Sequence, residues 1–314
     1  MQRFLAIFAI APLIALAQEP AVFRARVSLV HVDAEVVGED GRILTGFSRD
    51  DFRVLDEGKE QTIVEFSAEE RPLDLILLFD ISGSMQLNVE AVGAAARQGL
   101  QELRHGDRVA VMVFNTRTRV IAPFTEDLAA VERTVREDVL ALNFGGGTLI
   151  QKAVDDAARL FSSEPQTQRR RAVLIVTDNI GIRTRREESV VRDYWEADAL
   201  LSGLILRNKT FATIHTIGTV LGPQTLLMEA GMKGIAAKTG GDAIRADDPG
   251  PAFVDMMRRI RNRYSLYYRA PAGKPGQLRT IRVELTAGAQ KRFPKARVRA
   301  RHGYRTPANP PAEP

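Results

Sequence analysis

Residues Leu75 to Met85 read LILLFDISGSM, and the reading of this stretch decides the fold. A continuous apolar run ends in Asp80, and Ser82 and Ser84 follow with Gly83 between them. The run suits one buried strand and is too short for a buried helix. Its polar cluster then lies at the carboxyl end of a strand, where open α/β sheets place their ligand sites. Asp80, Ser82 and Ser84 present three oxygens on a tight turn, and Gly83 is expected to let the backbone bend there without a Cβ clash.

From Arg71 to about Arg263, apolar strands alternate with amphipathic helices. Met85, Val89, Val92, Ala96, Leu100 and Leu103 form a stripe at helical spacing. Arg108 to Phe114 is a second apolar run, and Arg119 to Phe124 reads as a short neighbouring strand. Thr125 is expected to cap a helix whose first turn carries Glu126 and Asp127. Asn143 to Thr148, with three consecutive glycines, breaks the pattern before a helix beginning near Ile150. Ala172 to Thr177 is another apolar strand, and it too ends in an aspartate, Asp178. A charged helix over Glu187–Leu206, a strand over Thr210–Ile217, a helix over Leu226–Lys238 and a last helix around Phe253–Ile260 complete the region. This β-then-α order predicts a doubly wound, largely parallel sheet with helices on both faces.

On either side the signal is β. Val30, Val32, Ala34 and Val36 alternate at period 2, and Glu39-Asp40-Gly41 reads as a hairpin turn. Ser48 and Asp51 have the spacing of a capping box. Phe52–Leu55 and Thr62–Phe66 flank a second hairpin at Asp56–Lys59. After Tyr264, alternation returns in Tyr264/Leu266/Tyr268, Ile281/Val283/Leu285 and Ala296/Val298/Ala300. Neither set of strands can bury a core alone. The expectation is a small β-sandwich built from both ends of the chain, with the α/β region inserted between its halves. The divisions are residues 18–70, 71–263 and 264–303, with a disordered tail over 304–314.

The chemistry lies on three connections: Asp80, Ser82 and Ser84; Thr148 after the triple glycine; and Asp178. In a doubly wound sheet all three can emerge at one carboxyl edge. Two carboxylates and three hydroxyls are hard oxygen ligands, suited to Mg²⁺ or Ca²⁺ and unsuited to soft metals.

This ordered set resembles the metal-ion-dependent adhesion site of von Willebrand factor type A domains, over about residues 71–262. The resemblance implies that Ser82, Ser84 and Thr148 touch a divalent cation (Mg²⁺, or Ca²⁺ or Mn²⁺) and that Asp80 and Asp178 often act through water. It also implies a partner protein whose carboxylate completes the coordination. One departure is Asn179, where a glycine often follows this aspartate. The flanking β segments are similar to those of exported bacterial proteins that carry such a domain.

Residues 1–17, MQRFLAIFAIAPLIALA, read as a cleaved signal peptide: a positive start, an apolar core and Ala15-Leu16-Ala17. The mature chain is then expected to be exported, to the periplasm, the cell surface or the medium, with no membrane span. With no cysteine, neither disulfides nor thiolate metal sites are available. The 44 Lys+Arg against 39 Asp+Glu give only +5, too little to point to nucleic acid. His31, His105, His215 and His302 are scattered and form no zinc pair. The glycine run lacks the lysine of a phosphate loop. Arg183, Arg185 and Arg186 follow Asp178 and are expected to rim the metal face and attract an acidic partner. The leading expectation is a non-enzymatic binding or adhesion-type protein. The alternatives are a metal-assisted hydrolase and a structural envelope protein with a silent metal site.

Overall fold

The computed structural model describes residues 28–68, 71–164, 169–182, 184–207 and 228–306. The signal peptide, Arg183, the strand expected over Thr210–Ile217 and the last eight residues lie outside them.

The chain enters through β1 (Leu29–Val37), whose Val30, Val32, Ala34 and Val36 point into a core as their alternation requires. The turn after it closes with Gly41 N donating to Gly38 O at 3.0 Å, with Gly41 left-handed at φ 76°. Ser48 and Asp51 form the expected capping box, the Ser48 amide donating to Asp51 Oδ2 at 2.8 Å. β2 (Phe52–Asp56) turns at Glu57-Gly58 into β3 (Lys59–Gln61). The segment beyond, β4 (Ile63–Ser67), does not close that hairpin; it crosses to the other sheet and pairs with a strand some 200 residues later.

The α/β region opens with β5 (Leu73–Asp80), buried at all eight positions. A strand buried on both faces reads as an unbroken apolar run because no side faces water. α1 (Gln86–Leu100), β6 (Arg108–Phe114) and the antiparallel edge strand β7 (Thr118–Thr125) follow. α2 (Leu128–Arg133) runs on into a single π-turn at Thr134–Asp138. Its cap is Asp127, whose carboxylate accepts the Ala130 amide at 2.9 Å. The expected cap, Thr125, instead accepts from the Asp127 amide at 3.1 Å, two residues too early to serve the helix. α3 (Ile150–Ser163), β8 (Arg170–Thr177), the short β9 (Ile180–Gly181) and α4 (Glu187–Glu196) come next.

The helix expected to continue to Leu206 stops at Glu196. Asp198 takes a left-handed φ of 50°, and Ala199–Leu206 forms β10, buried at all eight positions. The sequence ALLSGLIL is apolar on every side, and such a run carries no period to distinguish a buried strand from a buried helix. β11 (Met228–Glu229), α5 (Met232–Thr239), β12 (Ala243–Ala246) and α6 (Pro249–Arg261) complete the region.

The six-stranded sheet has the order β12-β10-β8-β5-β6-β7, parallel except for β7. Leu73, Leu75, Leu77 and Phe79 pack with α1, α2 and α6, while Ile76 and Leu78 pack with α3, α4 and α5. The chain leaves β5 in one direction for β6 and β7, then returns on its other side with β8, β10 and β12. The gap between β5 and β8 is therefore the topological switch point, where open sheets leave a crevice at their carboxyl ends.

β13 (Tyr264–Arg269), β14 (Leu278–Leu285), α7 (Ala287–Arg292), β15 (Arg297–Ala300) and β16 (Gly303–Arg305) return to the sandwich. Its two antiparallel sheets have the orders β15-β1-β13-β4 and β16-β14-β2-β3, so each mixes strands from both ends of the chain. One core joins Val32, Val54, Leu266, Tyr268 and Ile281 across them. The tail expected to be loose from residue 304 is corrected at its start. Tyr304 and Thr306 are buried, Tyr304 donating to Asp56 Oδ2 at 2.8 Å and the Thr306 amide to Gln277 O at 2.8 Å.

Candidate functional site

Asp80 ends β5, and its carboxylate is fully buried at the switch point. The Ser82 amide donates to Oδ1 at 2.9 Å and the Thr177 hydroxyl to Oδ2 at 2.7 Å. Ser82 and Ser84 lie on the single 3-10 turn that leads into α1, with their Oγ atoms 3.4 Å apart. Ser84 Oγ donates to Asp178 Oδ2 at 2.8 Å, which ties the end of β5 to the end of β8. Asp178 Oδ1 also accepts the Ile180 amide at 3.0 Å. Four of the five residues read from the sequence therefore form one hydrogen-bonded group.

Thr148 is tied through its backbone to a loop beside this group. Its carbonyl accepts from the Ile182 amide at 3.2 Å, which ties it to the connection after Asp178. Three residues earlier, Gly145 N donates to Ile81 O at 2.9 Å, between Asp80 and Ser82. Thr148 and Ser82 are buried, and Ser84 is exposed. The cluster is thus open to solvent on the Ser84 side.

Several residues that hold the site carried no motif. Thr177 accepts from the Asn179 amide at 3.1 Å while donating to Asp80, so it links the two carboxylate-bearing turns. Asn115, just after β6, donates to Gly145 O at 3.1 Å and accepts the Leu149 amide at 3.0 Å, bracketing the glycine run from both sides. Gln151 is buried, and its Oε1 accepts the amides of Thr184 and Arg185, each at 2.8 Å. At Gly181, an added Cβ would lie 2.7 Å from Thr148 O, so only glycine allows the two loops this approach. By contrast, Gly83 has no left-handed φ, and an added Cβ would meet only Gly145 Cα at an ordinary 3.9 Å. The turn does not depend on a glycine there. Asn179 adopts φ 62°, the left-handed conformation that asparagine tolerates better than most residues.

The arginines after Asp178 have separate fates. Arg185 Nη1 lies 2.6 Å from Asp155 Oδ1 and 2.7 Å from Asp193 Oδ2, so it staples α3 to α4. Arg186 is exposed at the amino end of α4. Tyr194 is fully buried and donates to Val154 O at 3.0 Å, which is a packing role. Trp195 donates to Lys238 O at 3.0 Å, at the seam with the sandwich.

Burial pushes the Asp80 carboxyl up to about 7; the neighbouring Asp178 carboxylate adds to the rise, and the Ser82 amide and Thr177 hydroxyl oppose it. Two carboxylates held this close are at odds with each other unless a positive charge sits between them. The donor set is all oxygen, with two acids and three hydroxyls. Both features fit a hard divalent cation. Among the described residues no group of three or more His, Cys, Asp and Glu is placed to hold a metal ion, so a cation at this site would rest on two acids together with hydroxyls.

Solved structures similar to this chain include an aerotolerance-related membrane protein from Bacteroides fragilis, at 18% identity and a TM-score of 0.45, covering 60% of this chain and 98% of that one. BatB from Bacteroides thetaiotaomicron is 20% identical at a TM-score of 0.46, covering 60% and 97%. A von Willebrand factor type A protein from Catenulispora acidiphila is 13% identical at a TM-score of 0.47, covering 84% and 72%. No curated protein matches. Residues 75–181, which span all five oxygen-bearing positions, match the family model of the von Willebrand factor type A domain.

Proposed function

We propose that the chain is an exported binding protein that uses a divalent cation to grip an acidic side chain of a protein partner. Asp80, Ser82, Ser84, Thr148 and Asp178 would hold the cation, Mg²⁺ or alternatively Ca²⁺ or Mn²⁺. The observation that supports this most is the 2.8 Å bond from Ser84 to Asp178, which brings oxygen ligands 94 residues apart in sequence to one point at the switch crevice. When bound, the cation supplies a positive centre able to accept one further oxygen ligand.

The chain's own part is positioning. Thr177 and the Ser82 amide fix the buried Asp80 carboxylate. Ser84 stands on the exposed lip, where a partner can approach. The Gly181 contact sets how near Thr148 comes. Three neutral hydroxyls with only two acids leave the centre short of negative charge, which favours an incoming carboxylate.

Calorimetric titration with Mg²⁺, Mn²⁺ and Ca²⁺ of the wild type and of Asp80→Ala tests the metal claim. Heat in the wild type alone is expected, and no binding of any cation by the wild type refutes it. Capture of an envelope protein that is released by EDTA tests the gripping claim. Turnover of ester or phosphate substrates, lost with Asp80→Ala, would instead make the chain a metal-assisted hydrolase.

A further inference from the structure

The connections around the candidate site carry charge of one sign. They run over residues 81–89, 115–119, 143–149 and 179–186, and their charged side chains are Arg117, Arg119, Arg183, Arg185 and Arg186, with no acid. Acids reappear in the helices that follow, first at Glu90 in α1, Asp155 in α3 and Glu187 in α4. Asp247 and Asp248 follow β12, two strands beyond β8, and Asp247 is paired with Arg207 at 2.7 Å. Arg185 is engaged by Asp155 and Asp193, and Arg183 lies outside the described residues.

Strand register places Arg117 at the same edge. Asp80 on β5 is the direct partner of Phe114 on β6, and Phe114 is the partner of Thr118 on β7. Thr118 therefore stands two strand spacings, about 10 Å, from Asp80, and Arg117 is the residue before it. Hydrogen bonds hold the turn there. The Arg117 amide donates to Asn115 Oδ1 at 3.1 Å, the Asn115 amide to Arg117 O at 3.2 Å, and Asn115 Nδ2 to Gly145 O at 3.1 Å. The Arg117 side chain is exposed and forms no ion pair among the described residues.

Aliphatic surface lies on the same lip. Leu87, in the first turn of α1 and three residues after Ser84, is 78% exposed. Ile182, four residues after Asp178, is exposed while its amide holds Thr148 O. Such surface suits an apolar side chain of a polypeptide. A sugar acid would stack on an aromatic ring, and the one ring in these connections, Phe144, packs on the core.

We propose that Arg117 is a second anchor for the partner: it pairs with a second carboxylate of the same acidic polypeptide segment whose first carboxylate meets the cation, while Leu87 takes up a neighbouring apolar side chain. This rests on the cation-gripping function proposed above. About 10 Å corresponds to three residues of extended chain, so the segment carries acids three positions apart. The guanidinium fork matches a carboxylate with two parallel bonds. The probe is a fluorescein-labelled glutamate decamer, which offers acids at every spacing, read by anisotropy in Mg²⁺ and in EDTA. The wild type should bind it in Mg²⁺ and release it in EDTA. Arg117→Gln should bind it about fivefold more weakly, with a shallower salt dependence and an unchanged Mg²⁺ affinity by calorimetry. Arg297→Gln, at an exposed arginine of the sandwich, should leave all three unchanged. If Arg117→Gln binds the decamer as the wild type does, the second anchor is overturned and the cation reading stands. Mg²⁺ uptake by the wild type with no binding of the decamer overturns the acidic segment, and no Mg²⁺ uptake overturns both readings. An oligogalacturonate bound as tightly as the decamer overturns the choice of a polypeptide.

Discussion

Gly181→Ala separates the geometry of the candidate metal site from the stability of the fold. An added Cβ would stand 2.7 Å from Thr148 O and 3.5 Å from Ile150 Cδ1. Ordinary contact begins at 3.4 Å, so the Thr148 loop must retreat by about 0.7 Å. The obstructing atom is backbone and cannot swing away as a side chain would. Gly181 has no left-handed φ, so alanine suits the backbone itself. The stiffer unfolded chain returns about 0.4–1 kcal/mol against about 1–3 kcal/mol of overpacking, a net loss of about 1–2 kcal/mol. A binding constellation tolerates displacements of about 0.5 Å. The retreat exceeds this, so Mg²⁺ affinity should fall about tenfold, equal to about 1.4 kcal/mol. Gly83→Ala is the control: its Cβ would find only a 3.9 Å contact on an exposed turn, so both quantities should hold. Titration calorimetry and urea unfolding measure the pair. If Gly181→Ala loses stability but binds Mg²⁺ within about twofold of the wild type, Thr148 is no part of the metal set.

Four other outcomes follow. Ser84→Ala removes the bond to Asp178 from an exposed residue; by calorimetry Mg²⁺ affinity should drop at least about tenfold, while urea stability changes by less than about 1 kcal/mol. Arg186→Glu should weaken capture of an acidic partner in pull-downs without changing stability, whereas Arg185→Glu should destabilise the chain, because it sets three acids together at Asp155 and Asp193. Arg170→Ala takes the charged partner from the Oδ2 of the partly buried Asp33 and leaves two buried carbonyls without their donor, so urea unfolding should show a loss of about 3 kcal/mol with unchanged Mg²⁺ affinity in the folded fraction. Burial alone would lower the His31 imidazole, but Asp33 and Asp198 outweigh it and push its pKa up to about 9 from 6.5. A raised folded value means that the stabilisation is complete below pH 6.5 and lost as pH rises through about 9, up to roughly 3 kcal/mol in all; urea midpoints should fall over that window in the wild type and stay flat in His31→Gln.

The sequence carried the order of the fold wherever a period or a chemical type was unambiguous. The apolar run from Leu75 to Asp80 was too short for a buried helix and read as a buried strand, and the alternation of Val30 to Val36 named the inward face of the first strand. Asp80, Ser82, Ser84 and Asp178 were legible because carboxylates and hydroxyls follow apolar strands there. Ala199–Leu206 was not legible, because a segment apolar on every side has no period. Gly181, Asn115, Thr177 and Gln151 were invisible for another reason. Each matters through one contact to a loop distant in sequence, and no local pattern records such a contact. Gly83 shows the opposite error, a glycine credited with a turn that any small residue could make. Arg185 read as part of a rim around the metal face because the sequence does not show that Asp155 and Asp193 face it from two helices.

The two charged regions of the molecule sit at opposite ends of the same strands. Asp178 follows the last residue of β8, and Arg170 is its first. Eight residues of parallel strand at about 3.3 Å each place the candidate metal site roughly 25 Å from the seam with the sandwich. That is well beyond the Debye length of about 8 Å in physiological salt and beyond the range at which substitutions usually couple. The sandwich therefore grips the α/β region where it cannot obstruct a partner at the carboxyl edge. It does so with Arg170, Arg263 and Arg301, side chains that bind backbone carbonyls as well as carboxylates. Such a joint fixes direction as well as distance, because a planar guanidinium satisfies several acceptors only in one orientation. A domain that displays a single cation-held contact gains most from a rigid mount, since every degree of freedom left in the joint would have to be frozen when the partner binds.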